Sequence, residues 1–310
     1  MLHFFLTSSP IFAVVALGFA AARLRWVAPQ GFVAFAAYAF NLALPALMIG
    51  MLSRQPFARS FEPRFFAALL AAGLLVFLAV AALAVTLGRT GLGVGGAYGQ
   101  AATGGNQAFL GVPLMLALLG ERATGPIAMV ILAEVGLLMP VGLAFMGLGH
   151  RRAGADTRLG AVLARSTLLN PIVLGVAVGA ALGLLDVRLP GPVDRLFTFL
   201  GGSAGPVALF ALGGTLAGQR LGDGLRPVLG LVAAKLVIYP ALAWLLLRAA
   251  GLGPDLVAAG TLLAALPTAA YAFVFAQRFE AAPERVSAAI LLSTLLGAVT
   301  FPLTAWLVMP

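Results

Sequence analysis

What most constrains this chain is a succession of apolar runs, each long enough to cross a bilayer as one helix. Ten such runs are read near 4–22, 30–52, 65–88, 92–119, 124–148, 166–185, 191–218, 226–248, 255–277 and 286–308, divided by short turns that carry Arg, Gly or Pro. A hydrocarbon core needs about 20 apolar residues per crossing helix. Ten crossings therefore take most of the 310 residues and leave no room for a sizeable soluble domain. Composition agrees, since 62% of residues are apolar and 9% charged, with a mean hydropathy of +1.06. A water-soluble domain carries about 25% charged residues, and a soluble fold of this size would be left with an oily exterior. The expected class is an all-α integral membrane protein of ten transmembrane helices.

The few charges lie almost entirely at the ends of these runs. The formal net charge is +9, yet the basic residues are scattered arginines without a dense basic run. Interfacial Arg is the ordinary membrane pattern, so the expected surroundings are lipid and not nucleic acid. The absence of cysteine excludes disulfide scaffolds and thiolate metal sites. No metal or cofactor motif is present.

The first run could be taken for a signal peptide, because Ala20-Ala21-Ala22 resembles a cleavage site. Its leading end carries no Lys or Arg, however, and Arg23 and Arg25 follow it, so it reads as a span. Counting Lys and Arg in the loops places seven on the side of the N-terminus and eleven on the other. That excess predicts both termini outside the cytoplasm of a bacterial inner membrane.

Shifted by about 161 residues, the sequence lies on itself. Ser9-Pro10-Ile11 meets Asn170-Pro171-Ile172, Pro45 meets Pro206, Arg64 meets Arg226, Gly91-Leu92-Gly93 meets Gly251-Leu252-Gly253, and Pro140 meets Pro302. Residues 1–150 then form one five-span repeat, 151–165 a cytoplasmic linker, and 166–310 a second repeat. Five spans is an odd number, so the second copy is inverted, an architecture of secondary transporters that alternate access.

Non-helical backbone inside a bilayer survives only where protein or a watery cavity surrounds it. The fourth run holds Gly104-Gly105-Asn106-Gln107 and Pro113 at its middle, and the ninth holds Pro267-Thr268-Ala269-Ala270-Tyr271. Both should break there, and Gly104-Gly105 aligns with Thr268-Ala269. Two such breaks related by a pseudo-two-fold axis should cross near the midplane and aim half-helix N–H groups at an anion such as a carboxylate. Gly104, Gly105, Asn106, Gln107, Pro267, Thr268 and Tyr271 are the candidate substrate-binding residues, with Tyr271 either walling the cavity or facing a neighbouring helix. Pro10, Pro45, Pro171, Pro206 and Pro302 are read as kinks or packing features.

Several stretches resemble the auxin efflux carrier family of bacterial and plant transporters. They are Asn41-Leu42-Ala43-Leu44-Pro45, the Gly105–Pro113 stretch, Gly205-Pro206 running to Gly213, and Ser293-Thr294-Leu295-Leu296 leading to Phe301-Pro302. The resemblance covers the whole chain. It implies ten spans in a bile-acid-symporter-like fold, crossed broken helices 4 and 9, and transport of organic anions, with bacterial members often linked to malonate or other small carboxylates. It also implies that Asn106 is the family's span 4 asparagine. Plant auxin exporters carry a second Asn after the span 9 proline, whereas this chain has Thr268-Ala269-Ala270, a departure from auxin-like substrate geometry.

Two ionisable residues sit at mid-span, Glu134 in the fifth run and Lys235 in the eighth. Each costs about 2.5–3.5 kcal/mol at the bilayer centre on insertion scales. They should face the interior, either as a structural ion pair or in function. In the functional reading Lys235 is a counter-charge for an anionic substrate or a partner in ion coupling, and Glu134 is the protonatable carboxylate. Asn41, one turn before Pro45, and Asn170, beside Pro171, either bond a carbonyl freed by the proline or support the ligand. His3 and His150 are interfacial.

The leading function is a secondary transporter of small organic anions working by alternating access, coupled to H+ or Na+ or to neither. A sodium-coupled symporter of a larger anion, such as a bile acid, is the alternative within the same fold. An intramembrane enzyme is the alternative from another class. It finds no HExxH and a single intramembrane carboxylate. Association as a homodimer stays open.

Overall fold

The computed structural model describes residues 2–54, 61–152, 169–218 and 225–309. The 151–165 linker, apart from the backbone of Arg151 and Arg152, lies outside the described residues, as do Arg59 and Arg220 of the orientation count. The described residues are all helix and connecting turn, with one isolated β-bridge and no strand.

Among the described residues twelve helices follow in order. They are α1 (Leu2–Arg23), α2 (Pro29–Ser53), α3 (Pro63–Thr86), α4 (Leu92–Thr103) and α5 (Val112–Leu119). Next, α6 runs from Thr124–Ala133 through Glu134–Leu138 into Met139–Arg152. The remainder are α7 (Pro171–Leu184), α8 (Gly191–Ala217), α9 (Arg226–Ala249), α10 (Pro254–Ala264), α11 (Tyr271–Arg278) and α12 (Pro283–Val308). The expected fourth run is α4 plus α5, and the expected ninth is α10 plus α11. By length and composition, 7 helical stretches among the described residues can cross a membrane, one of them the continuous Gln107–His150. The chain is an integral membrane protein.

Four helices widen into a π turn, at Ala39–Ala43, Gln107–Gly111, Glu134–Leu138 and Ala234–Ile238. Each turn ends two residues before a proline: Pro45, Pro113, Pro140 or Pro240. Proline has no N–H to give to the carbonyl four residues back and clashes with it. The ladder loosens around that gap instead of breaking. Glu134 and Lys235 both sit in such turns. A different device joins α5 to α6, where Gly120 takes φ +58° and a side chain would be strained.

The chain divides into two compact units. One comprises Met1–Pro63, Gln107–Met129 and Leu168–Gly218. Here α1 lies along the second half of α8, Gly18 resting on the Phe210 carbonyl and Gly213 on that of Val15. Small residues let backbones approach this closely, a main source of helix association where lipid replaces water. Gly175 and Gly179 do the same for α7 against Pro45 and Met48 of α2. Asn41 donates to the Ala37 carbonyl at 2.8 Å. Asn170 has a role that neither of its two sequence readings named. Its Oδ1 accepts from the N–H groups of Ile172 and Val173 at 3.0 and 3.4 Å, so it caps the N-terminus of α7.

The other unit comprises Arg64–Asn106, Val130–Thr167 and Gln219–Pro310. Its α4 packs along the second half of α6, α10 on α9, and α12 on both α9 and α11. Gly95–Thr103 of α4 and Val257–Ala264 of α10 are each an unbroken run of buried residues. Helices buried all round lie inside their unit, and these two lead into the breaks.

Candidate functional site: two severed helices paired through their backbones

The site lies within the second unit. After Thr103 the backbone leaves the helix at Gly104 (φ −64°, ψ 108°). After Ala264 the chain turns through Ala265-Leu266 and runs non-helical to Ala270. The two stretches pair antiparallel at Gly105 and Thr268. Asn106 N–H donates to the Pro267 carbonyl at 2.8 Å, and Ala269 N–H to the Gly104 carbonyl at 3.0 Å. Backbone bonds across the break thus replace bonds along the helix, as lipid-immersed polypeptide requires.

In a continuous helix Gly105 N–H would bond the Ala101 carbonyl, and Thr268 N–H the Ala264 carbonyl. Both bonds are severed, and all four groups find new partners. Gly105 N–H donates to Glu134 Oε2 at 3.3 Å. The Ala101 carbonyl accepts from Thr268 Oγ1 at 2.8 Å. Thr268 N–H donates to Ser293 Oγ at 3.1 Å. The Ala264 carbonyl accepts from Lys235 Nζ at 2.7 Å.

The two intramembrane charges therefore divide the work by sign. The carboxylate takes a stranded donor, and the ammonium takes a stranded acceptor at the C-terminal, negative end of the α10 dipole. Glu134 is 4% exposed and Lys235 fully buried, where an unbonded charge would be very costly. Lys235 also stands 4.8 Å from the Tyr239 ring centroid, a cation–π contact. The Glu134 charge lies within coulombic reach of Lys235, Tyr239 and Tyr271.

Tyr271 opens α11 and donates its hydroxyl to Glu134 Oε1 at 2.7 Å. Gln100 Nε2 donates to the same hydroxyl at 2.9 Å. One carboxylate thus gathers donors from both broken segments. The cluster is tightly packed. A Cβ on Gly104 would strike the Tyr271 hydroxyl, one on Gly142 would strike Gln100 Oε1, and one on Gly297 would lie 2.6 Å from Pro267 Cγ.

Of the expected site residues, Gly104, Gly105, Asn106, Pro267, Thr268, Tyr271, Glu134 and Lys235 meet in this unit. Gln107 is buried and opens the π turn before α5, in the other unit. Sequence reasoning passed over Gln100 and Ser293 as site residues. The available signal was a lone polar side chain facing the interior of an apolar helix, which for Gln100 lies one turn before Gly104.

Comparison with known proteins agrees with a membrane-spanning transporter chain. The family described as "Membrane transport protein" matches residues 3–305. A protein of Rhizobium meliloti (strain 1021) described as "Putative malonate transporter" is 33% identical over 294 residues, covering 94% of this chain and 91% of that one. The lysosomal cholesterol signaling protein of Mus musculus is 26% identical over 315 residues, which cover 96% of this chain and 36% of that protein. "Uncharacterized transporter YfdV" of Escherichia coli (strain K12) is 25% identical over 199 residues, 63% of this chain and 62% of its own length. A match along nearly the whole chain leaves one conclusion: this protein belongs to the membrane transport protein family, the auxin efflux carrier family.

Proposed function

We propose that the protein is a secondary transporter of small organic anions, carboxylates such as malonate foremost, and that it binds them at the paired breaks of the fourth and ninth segments. The observation that carries this reading is the pairing of Gly104–Asn106 with Pro267–Ala269 deep in an apolar chain. Irregular backbone at such depth is a mark of transporter binding sites. The malonate name of the relative from Rhizobium meliloti supports the substrate class.

Ten spans in two inverted repeats complete the reading, and the pairing itself supports it. Sequence alignment equates Gly104 with Thr268 and Gly105 with Ala269. Gly104 then faces Ala269, and Gly105 faces Thr268. A two-fold axis that exchanges the repeats exchanges these two pairs. Each compact unit also draws on both halves of the chain. Alternating access would move the unit carrying the crossing as one body, in a bacterial inner membrane with both termini outside the cytoplasm. Asn106, Gln107 and Thr268 would contact the substrate, Lys235 would supply positive charge, and Glu134 would carry the coupling proton.

The test is uptake by proteoliposomes across a panel of radiolabelled mono- and dicarboxylates, with pH and sodium varied independently. Saturable uptake of at least one small carboxylate, competed by its neighbours in the panel, is expected. Passage without saturation for every compound would point to a channel and overturn the reading.

A further inference from the structure

Resting on that reading, we infer that the Glu134 carboxylate occupies the place that a substrate carboxylate takes at the crossing, and that anion binding displaces it as the neutral acid. The coupled ion is then a proton, one for each anion bound.

Three observations converge here. First, Glu134 engages a donor of each broken segment, Gly105 N–H through Oε2 and the Tyr271 hydroxyl through Oε1. A backbone N–H beside a hydroxyl, at a helix break, is the donor set an incoming carboxylate would need. The protein's own carboxylate already holds it. Second, the donors are taken. Gln100 Nε2 bonds the same hydroxyl, a Cβ on Gly104 would strike that hydroxyl, and one on Gly142 would strike Gln100 Oε1. Two carboxylates cannot share those donors, so one must withdraw.

Third, the charges decide the form in which Glu134 withdraws. Among the described residues, Lys235 and Tyr239 from α9 and Tyr271 from α11 are charged or titratable groups that act on it in this unit. With Glu134 ionised and Lys235 an ammonium, the two charges at the crossing cancel. An anion added alone would leave uncompensated negative charge in a water-poor interior, one charge for a monocarboxylate and two for the malonate dianion, a heavily penalised state. If Glu134 takes up one proton, its negative charge is removed as the incoming carboxylate replaces it, which returns the sum to zero for a monocarboxylate and halves the excess for malonate. Like-charge repulsion between two close carboxylates drives the same protonation. Lys235 keeps its bond to the Ala264 carbonyl throughout and becomes the counter-charge of the anion.

The test uses the full-length protein and malonate as probe. Wild-type protein in detergent is titrated with malonate in two buffers of different ionisation enthalpy, which gives the protons taken up on binding. About one proton per malonate is expected. In proteoliposomes with the membrane potential clamped, an inward proton gradient should stimulate malonate uptake, and protons should enter with it.

Glu134→Gln, confirmed monodisperse by size exclusion, should still bind and exchange malonate at a lower rate. Its proton uptake should fall to the level of empty vesicles. Malonate binding to wild type without proton uptake overturns the inference. So do proton movement in Glu134→Gln like that of wild type, and a folded Glu134→Gln that no longer binds malonate. Should Glu134→Gln aggregate, Tyr271→Phe carries the test: it keeps the carboxylate, so proton uptake per malonate should persist at weakened affinity, and a loss of the proton alone overturns the inference. Failure of wild type to bind any carboxylate removes the proposed function and this inference with it, and is recognised by the absence of a binding signal in both buffers.

Discussion

The Tyr271 hydroxyl donates to Glu134 Oε1 at 2.7 Å, tying the first residue of α11 to the π turn of α6. Because Glu134 also takes Gly105 N–H, this one phenol is coupled to the break on the opposite segment.

Removing that hydroxyl should cost more than an ordinary hydrogen bond. Tyr271→Phe strips a charged acceptor of a buried donor and leaves Gln100 without its partner, a loss of about 1.5–3 kcal/mol. Reduced heat stability in detergent and a higher KM for carboxylate uptake are expected. A variant matching wild type on both measures would remove Tyr271 from the site.

Lys235 should be separable into its charge and its hydrogen bond. Lys235→Gln keeps a donor for the Ala264 carbonyl, whereas Lys235→Met leaves that carbonyl stranded at a further cost of about 1–3 kcal/mol. Both variants should lose anion uptake, and only Lys235→Met should also lose heat stability. Wild-type uptake by Lys235→Gln would rule out the counter-charge role.

The glycines offer a contrast within one helix. Gly142→Ala would push a methyl into Gln100 and break its bond to Tyr271, while Gly136→Ala meets nothing within 4 Å. Overpacking costs about 1–3 kcal/mol. Gly142→Ala should therefore be less heat-stable and slower in uptake, and Gly136→Ala close to wild type, on parallel melting and transport measurements.

Asn170 should matter only to folding. Asn170→Ala removes the cap of α7 and should cost about 0.5–2 kcal/mol. Its KM for a transported carboxylate should stay at the wild-type value, because the side chain is spent on Ile172 and Val173.

The absence of cysteine makes accessibility measurable residue by residue. Single cysteines at Asn106 and Thr268 should react with a water-soluble maleimide during turnover, and malonate should slow the reaction several-fold. Permanent protection of both positions would be incompatible with a substrate site at the crossing.

Much of this arrangement is legible along the chain. Apolar run lengths set the helices to within a few residues, and Gly104-Gly105 and Pro267 mark where two of them fail. Local chemistry suffices there, because glycine and proline act on their own backbone. The new partners of the severed bonds are another matter. That Gly105 N–H finds Glu134, or that the Ala264 carbonyl finds Lys235, depends on which helices pack side by side, and no local pattern in so uniform an Ala/Leu/Gly composition encodes it. The π turns are intermediate. Pro45, Pro113, Pro140 and Pro240 announce a missing N–H, but a kink, a break or a widened turn could each absorb it. The cap at Asn170 went unread for a simpler reason. An amide beside proline can give or accept, and only the start of α7 shows that its oxygen accepts.

The bridge between Gly105 and Thr268 joins residues with more than half of the chain between them. During synthesis the fourth segment enters the membrane long before the ninth exists. Until Pro267–Ala269 arrives, the Asn106 N–H and the Gly104 carbonyl lack their partners in a medium that cannot solvate them. Biogenesis of this protein therefore includes a waiting period, in which a half-made segment must be sheltered by the insertion machinery or held at the aqueous boundary. Its completion is timed by the last third of translation.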